Sequence, residues 1–124
     1  LGKGFCFESR QKRIIIDDEY YYPDLVFYNR ILHCGVIIEL KNEEFSYENF
    51  GQLNAYVSHY RENEMQPGDN PPIGILLCTR KGKKMVEYAL AGMDNQLFVS
   101  TYMLQLPDKK TLEEFLLKQL DKEH

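Results

Sequence analysis

The stretch CGVIIELK, residues 34–41, decides the fold because it is an apolar run that ends in two opposite charges. Its β-branched residues predict a buried strand over residues 33–41. Side chains alternate along a strand, which places Glu39 and Lys41 on one face, roughly 6 to 7 Å apart. Burying a charge is costly unless a partner compensates it. Glu39 and Lys41 are therefore the first candidates for a functional site.

Two more strand-like stretches precede this one. Residues 11–17 contain three consecutive isoleucines, and residues 20–28 are rich in tyrosine and aliphatic side chains. Turn-forming residues separate the stretches, so the three together predict an antiparallel meander. Phe5-Cys6-Phe7 is expected to add a short edge strand ahead of it.

The hydrophobic period changes after the meander. Apolar residues recur every three or four positions over residues 46–63, which predicts an amphipathic helix. Two adjacent prolines make residues 66–72 a loop, and the apolar run at residues 73–78 is typical of a crossover strand buried on both faces. The remaining predicted elements are a helix at residues 81–91, a strand at residues 96–100 and a terminal helix from Thr111 to about Asp121. The sum is an α/β fold with a mixed central sheet, an antiparallel meander plus a crossover strand, flanked by helices.

The composition is that of one ordinary globular domain over residues 1–124. Of these 124 residues, 44% are hydrophobic and 27% are charged, and a chain of this size buries a core without disulfides or a structural metal. No apolar run approaches the roughly 20 residues of a membrane span. The chain does not begin with Met, so we expect it to be a piece of a longer protein.

The charge balance limits how the chain meets nucleic acid. Its net charge of −4 argues against broad electrostatic attraction to a polyanion. Phosphate binding must then be local, and the candidates are the basic runs at residues 10–13 and 80–84. The alternative for both runs is an ordinary solvated surface.

The cysteines indicate a reducing compartment. Cys6, Cys34 and Cys78 lie in apolar surroundings without CxxC spacing, which is typical of reduced thiols and predicts the cytoplasm. A small-molecule enzyme built on His33 and Cys34 fails as a hypothesis, because neighbours on a strand point to opposite faces and no third group orients them.

Asp24 interrupts the second strand-like stretch. If the turn between the strands leaves an even number of residues unpaired, Asp24 joins the face of Glu39 and Lys41. A tight turn at residues 29–30 would instead pair Asp24 with Gly35, so shared ligation requires a later turn or a bulge. Two carboxylates would suit Mg²⁺, with Lys41 positioning water or stabilising charge on a phosphate. The alternative is a polar turn residue beside a solvated strand end.

These charged residues stand at the spacing of a known motif. Tyr22-Pro23-Asp24, fourteen intervening residues and then Glu39-Leu40-Lys41 resemble the PD-(D/E)XK motif of restriction-endonuclease-like nucleases. Gln52 and Tyr56, one helical turn apart, are similar to the Gln-x-x-x-Tyr feature of RecB-type members. Most of the chain resembles the C-terminal domain of YhcG-type bacterial nucleases, through GFCF at residues 4–7, Arg10-Gln11, DLVFY at residues 24–28, NPPIGILLC at residues 70–78 and VEYAL at residues 86–90.

The resemblance implies a restriction-endonuclease-like core and a Mg²⁺-dependent nuclease, with Mn²⁺ as a substitute metal and DNA favoured over RNA. It assigns the metal to Asp24, Glu39 and Leu40, and catalysis to Asp24, Glu39, Lys41 and Gln52. Nucleic-acid contacts are expected from Arg10, Gln11, Lys12 and Tyr56. The resemblance also implies a missing N-terminal helical domain, and it leaves a homodimer open.

Two departures from the family pattern bear on function. Glu8 is either an added ligand or a surface carboxylate. Glu43 and Glu44 would repel substrate unless they point away from the site. The alternative function is a non-catalytic nucleic-acid or protein interaction module that retains the nuclease fold. The intact set of Asp24, Glu39 and Lys41 favours the enzyme.

Overall fold

The computed structural model describes residues 4–102. Seven strands and two helices follow one another in this part of the chain: β1 (Phe5–Arg10), β2 (Ile14–Ile16), β3 (Glu19–Tyr21), β4 (Leu25–Asn29), β5 (Cys34–Leu40), α1 (Tyr47–Asn63), β6 (Ile73–Cys78), α2 (Lys83–Leu90) and β7 (Gln96–Thr101). The predicted terminal helix at residues 111–121 lies outside the described residues.

Five of the strands form one mixed sheet in the order β1-β4-β5-β6-β7. The pairs β1/β4 and β4/β5 are antiparallel, whereas β5/β6 and β6/β7 are parallel. Parallel neighbours need a crossover connection, and α1 and α2 supply the two crossovers. The predicted α/β architecture with a mixed sheet and a crossover strand is therefore confirmed.

The sheet separates two hydrophobic clusters. The first lies on the side of the helices and includes Val26, Ile37, Leu53, Val57, Leu76, Ala89 and Leu97. The second includes Phe5, Leu25, Phe27, Val36, Ile38 and Leu40. Side chains of β4 and β5 enter both clusters, which explains why these central strands are almost continuously apolar.

The close approach of α1 to the sheet requires a glycine at residue 74. A Cβ atom there would lie 2.7 Å from the Val57 side chain, 2.9 Å from that of Leu97 and 3.0 Å from that of Leu53. Glycine therefore lets the helix backbone pack close to the sheet, and this packing fixes the position of α1 over β5 and β6.

The predicted membership of the meander is wrong. Residues 14–16 and 19–21 form a separate two-stranded sheet, β2-β3, and β1 occupies the edge of the main sheet in their place. The hairpin turn at Asp17-Asp18 has φ angles of 50° and 64°, the geometry of a tight type I′ turn. Pro23 then interrupts the stretch at residues 20–28, because proline donates no ladder hydrogen bond.

The edge strand and the helices follow the sequence pattern more closely. β1 is longer than the predicted Phe5–Phe7 segment and carries a register shift between Phe7 and Ser9. α1 begins after Ser46, whose side chain accepts a hydrogen bond from the Asn49 N–H at 3.1 Å, as an N-cap residue does. No helix among residues 4–102 is long and apolar enough to span a membrane.

Candidate metal and catalytic site

The register of the β4/β5 hairpin brings Asp24 to Glu39. Asn29 pairs with Cys34 and Leu25 pairs with Ile38, so the loop between the strands contains the four residues 30–33. This even number places Asp24 on the face of Glu39, and one further step of the register sets the two residues opposite each other. The hairpin therefore does not have a tight turn at residues 29–30. It has the later turn that allows Asp24 and Glu39 to share one cation.

The loop at residues 30–33 is fixed by side-chain hydrogen bonds. Asn29 Oδ1 accepts from the Ile31 N–H and from the Leu32 N–H, each at 2.9 Å. Asn70 Nδ2 donates to the Leu32 carbonyl at 2.7 Å, and His33 has a φ of 53°. These contacts hold the loop length that sets the register of the two carboxylates.

Backbone hydrogen bonds tie the Asp24 and Glu39 carboxylates to β5 and to the start of β4. The Asp24 N–H donates to Glu39 Oε1 at 3.3 Å, and the Leu40 N–H donates to Asp24 Oδ2 at 2.8 Å. Asp24 is 1% exposed and Glu39 is 2% exposed. Two carboxylates at this depth carry a large desolvation cost, and each accepts a backbone hydrogen bond that sets its direction.

Lys41 lies beside this pair at the end of β5. Its Nζ is 3.9 Å from Glu39 Oε2, and its side chain is 22% exposed. The Lys41 N–H donates to the Leu77 carbonyl at 2.9 Å, and Tyr102 donates its hydroxyl to the Lys41 carbonyl at 3.0 Å. The backbone of Lys41 is therefore anchored from both sides while its ammonium reaches the partly solvated edge of the carboxylate pair.

Helix α1 contributes Tyr56 to the same region. Tyr56 is buried, and burial, followed by the charges of Glu39 and Asp24, raises the pKa of its hydroxyl far above the ordinary value. Gln52 stands one helical turn earlier and is half-buried, so it lies on the same side of the helix. Leu53, the next residue, packs in the hydrophobic core. The catalytic role of Gln52 stays a prediction.

The residues expected to contact nucleic acid occupy different places. Gln11 Nε2 donates to Asp24 Oδ1 at 3.0 Å. Lys12 Nζ lies 3.5 Å from Glu64 Oε1 and 4.9 Å from the centre of the Tyr60 ring. Arg10 is exposed at the end of β1. These contacts of Gln11 and Lys12 lie within the chain. The nucleic-acid roles of both residues stay predictions.

Sequence reasoning missed two neighbours of the carboxylates. It did not connect Gln11 with Asp24, and no local pattern signals that contact, because it depends on the path of the chain from β1 into β2. It also missed Tyr21, whose ring centre is 6.1 Å from that of Tyr56. Tyr21 contacts Tyr56 because it lies on the separate β2-β3 hairpin. The predicted meander placed these residues in the main sheet, so the contact was not predicted.

Glu43 and Glu44, which follow Lys41, have hydrogen-bond partners within the chain. Asn49 Nδ2 donates to Glu43 Oε1 at 2.6 Å, and Arg80 Nε donates to Glu44 Oε2 at 3.2 Å. Glu8 is exposed at the register shift of β1. The charge of Glu44 is thus balanced locally by an arginine.

The donor set fits a hard divalent cation. Asp24 and Glu39 offer carboxylate oxygens, and the Leu40 main chain offers a carbonyl oxygen. Mg²⁺ is commonly held by one or two carboxylates while it keeps several waters. Within residues 4–102 no group of three or more His, Cys, Asp or Glu side chains forms a metal site. Such a carboxylate pair suits a cation that keeps several of its waters when it binds.

Comparisons with known proteins place the chain in a nuclease-domain family. The family described as the YhcG PDDEXK nuclease domain matches residues 1–120. A relative from Escherichia coli (strain K12), named "Putative nuclease YhcG", is 44% identical over 118 residues, which cover 95% of this chain and 32% of that protein. The chain thus spans about a third of the length of this relative.

Solved structures share the fold. A repair endonuclease from Pyrococcus abyssi superposes with a TM-score of 0.58 at 20% identity, over 81% of this chain and 39% of that chain. EndoMS in an EndoMS-dsDNA2 complex gives a TM-score of 0.57 at 20% identity, over 86% of this chain and 39% of that chain. These likenesses show that the core is restriction-endonuclease-like.

Proposed function

This chain belongs to the YhcG PDDEXK nuclease domain family, and from that membership we propose that it hydrolyses DNA phosphodiester bonds as a Mg²⁺-dependent endonuclease. Asp24, Glu39 and the Leu40 carbonyl would hold the metal, and Mn²⁺ would substitute for Mg²⁺. The observation that carries the proposal is the buried carboxylate pair, in which the Asp24 N–H donates to Glu39 and the Leu40 N–H donates to Asp24.

The energetics of this pair favour a ligand-binding role. Two buried carboxylates repel each other and lose hydration, so they lower the stability of the fold. A bound cation would compensate this cost. The hydrogen bonds that they accept from the Asp24 N–H and the Leu40 N–H fix the direction of one oxygen of each group in advance, which is what a hard cation with strict geometry needs.

The residues around the pair have separate roles in the proposed reaction. When bound, the cation supplies Lewis-acid polarisation of a phosphoryl oxygen and activates water. Lys41, 3.9 Å from Glu39, orients that water or stabilises negative charge that develops on the phosphate. Gln52 supports the reacting groups from α1. Tyr56 would contact nucleic acid through its hydroxyl, which, like that of an ordinary tyrosine, is protonated at neutral pH.

Substrate contact is proposed at the basic segment of residues 80–84. β6 runs parallel to β5, so this segment leaves the sheet at the same edge as Lys41. The Thr79 N–H donates to the Glu43 carbonyl at 2.9 Å, and the Phe45 N–H donates to the Arg80 carbonyl at 2.8 Å. Local lysines there would compensate for the net charge of −4. One structural neighbour, EndoMS, is solved as an EndoMS-dsDNA2 complex. This neighbour supports the proposal that the substrate is DNA.

Charge reversal tests this surface. Lys83→Glu combined with Lys84→Glu should weaken DNA binding and reduce its salt dependence, because fewer counterions are released. Arg30→Glu is the matched control, since Arg30 is exposed on the loop at the other end of the β4/β5 hairpin. Equal losses for both variants would remove the 80–84 segment from the substrate path.

The cellular setting is part of the proposal. Cys6, Cys34 and Cys78 are free thiols, and burial raises the pKa of Cys34 and Cys78, which suits a reducing cytoplasm. Because the chain covers 32% of its relative, we propose that it works joined to an N-terminal domain. Light scattering of the purified chain would distinguish a monomer from a homodimer.

A cleavage assay tests the activity directly. The chain should cut plasmid and oligonucleotide DNA in Mg²⁺ or Mn²⁺ and lose this activity in EDTA, with Ca²⁺ as a non-catalytic comparison. Asp24→Asn, purified in parallel, is the control against a contaminating nuclease. Cleavage by Asp24→Asn at the parent rate would refute the assignment and favour a non-catalytic interaction module.

A further inference from the structure

Gln11 contacts the candidate metal ligand Asp24 in two ways. Its side-chain Nε2 donates to Asp24 Oδ1 at 3.0 Å, and its backbone N–H donates to the Asp24 carbonyl at 3.1 Å. The Leu40 N–H donates to the other carboxylate oxygen, Oδ2, at 2.8 Å. Both oxygens of the Asp24 carboxylate are therefore held in fixed directions by separate donors.

The backbone of Gln11 is strained at this contact. Its φ is +54°, a left-handed conformation that is uncommon for residues other than glycine. Such strain persists where the surrounding structure imposes it, and it clusters at functional sites. Glycine would hold the same turn without strain, but only a side chain of this reach brings an amide to Asp24.

We propose that Gln11 is a positioning residue that orients the Asp24 carboxylate for Mg²⁺. The proposal rests on the proposed function, because it needs Asp24 to be a ligand. Hydrogen bonds to a ligating carboxylate typically change metal affinity by about 10- to 100-fold. Mg²⁺ demands nearly ideal octahedral geometry, whereas Ca²⁺ accepts flexible coordination. Gln11 thus affects Mg²⁺ more than Ca²⁺.

The test separates metal positioning from structural support. Gln11→Gly removes the amide and relieves the left-handed strain at the same time. We expect its melting temperature in EDTA to equal or exceed that of the parent chain. Its Mg²⁺ dissociation constant, measured by calorimetry, should rise about 10-fold or more, with a smaller rise for Ca²⁺. Gln96→Ala, at the exposed start of β7, should leave both constants unchanged.

Three outcomes would overturn the proposal. An unchanged Mg²⁺ dissociation constant in Gln11→Gly would refute positioning while leaving the metal site in place. A lower melting temperature with equal losses for Mg²⁺ and Ca²⁺ would assign Gln11 a structural role. A parent chain that binds no Mg²⁺ would refute both this proposal and the proposed function.

Discussion

Two groups of acidic side chains in this protein differ in depth. Asp24 and Glu39 are 1% and 2% exposed, and each carboxylate accepts a backbone hydrogen bond. The Glu44 side chain is 62% exposed and pairs with Arg80, and Asp69 accepts a hydrogen bond from the Tyr28 hydroxyl at 2.6 Å. Exposed ion pairs contribute little free energy, whereas buried like charges cost stability. The proposed metal site would explain this difference, because a bound cation compensates the two buried charges.

The largest effect should come from neutralising a buried ligand. Asp24→Asn removes a charge from the metal site, so we expect the cleavage rate at low Mg²⁺ to fall about 10³-fold, as for the loss of a strong electrostatic group. High Mn²⁺ should restore part of this loss, because the defect is in metal binding. Glu44→Gln is the surface control and should cleave like the parent. If Glu44→Gln lowered the cleavage rate by the same factor, the buried and the exposed acids would not differ in function.

The second effect separates the lysine from the ligands. Lys41→Ala leaves both carboxylates in place but removes the ammonium near Glu39, so the cleavage rate should fall about 10²-fold. Mn²⁺ should not rescue it, and Mg²⁺ affinity measured by calorimetry should hold or rise. Weaker Mg²⁺ binding in Lys41→Ala would mean that the lysine supports the ligands rather than the reaction.

A third effect concerns stability in the absence of metal. Glu39→Gln relieves repulsion inside the buried pair, so the free energy of unfolding in EDTA should rise by about 1 kcal/mol, as in other trade-offs between stability and function. The matched surface change Glu44→Gln should alter it by less than about 0.5 kcal/mol. Urea denaturation followed by circular dichroism measures both values. A less stable Glu39→Gln chain would show that the buried pair supports the fold.

The smallest effect concerns Asp69, which is half-buried and lies outside the buried pair. The hydrogen bond to Asp69 raises the pKa of Tyr28 to about 12, and the same bond lowers the pKa of Asp69. Asp69→Asn should bring the pKa of Tyr28 back toward about 10, read as a difference in phenolate absorbance against Tyr28→Phe. An unchanged titration would show that the bond is not formed in solution.

The sign of the pH dependence follows from these two shifts. The Tyr28 contribution to stability is present below the ordinary tyrosine pKa and is lost as pH rises through about 12. The Asp69 contribution is present above the ordinary aspartate pKa and is lost as pH falls through its lowered value. In Asp69→Asn both dependences should disappear from the unfolding free energy.

Much of the fold could be predicted because strong local signals coincide. The amphipathic period over residues 46–63 and the prolines that follow it predicted α1 (Tyr47–Asn63) and β6 (Ile73–Cys78) to within one residue. The meander could not be assigned in this way. Residues 14–16 have a strand composition whichever sheet they join, and only the turn at Asp17-Asp18 and the break at Pro23 direct them into a separate hairpin.

The site was predictable in its chemistry and not in its register. Buried charges at Asp24 and Glu39 stand out in apolar strands, but their meeting depends on a four-residue loop whose length no composition rule fixes. The contact of Gln11 with Asp24 depends on a left-handed backbone angle at Gln11. No local sequence pattern predicts this angle. Tertiary geometry therefore supplies the orientation of the carboxylates.

We propose that Asp24 and Glu39 together bind one divalent cation. Anomalous diffraction from crystals of the chain grown with Mn²⁺ tests it most directly. We predict a single Mn²⁺ peak between the two carboxylates, with oxygen ligands at about 2.1 Å, and its loss in Asp24→Asn. Mn²⁺ bound only at the exposed acids, or an empty carboxylate pair at saturating Mn²⁺, would contradict the account.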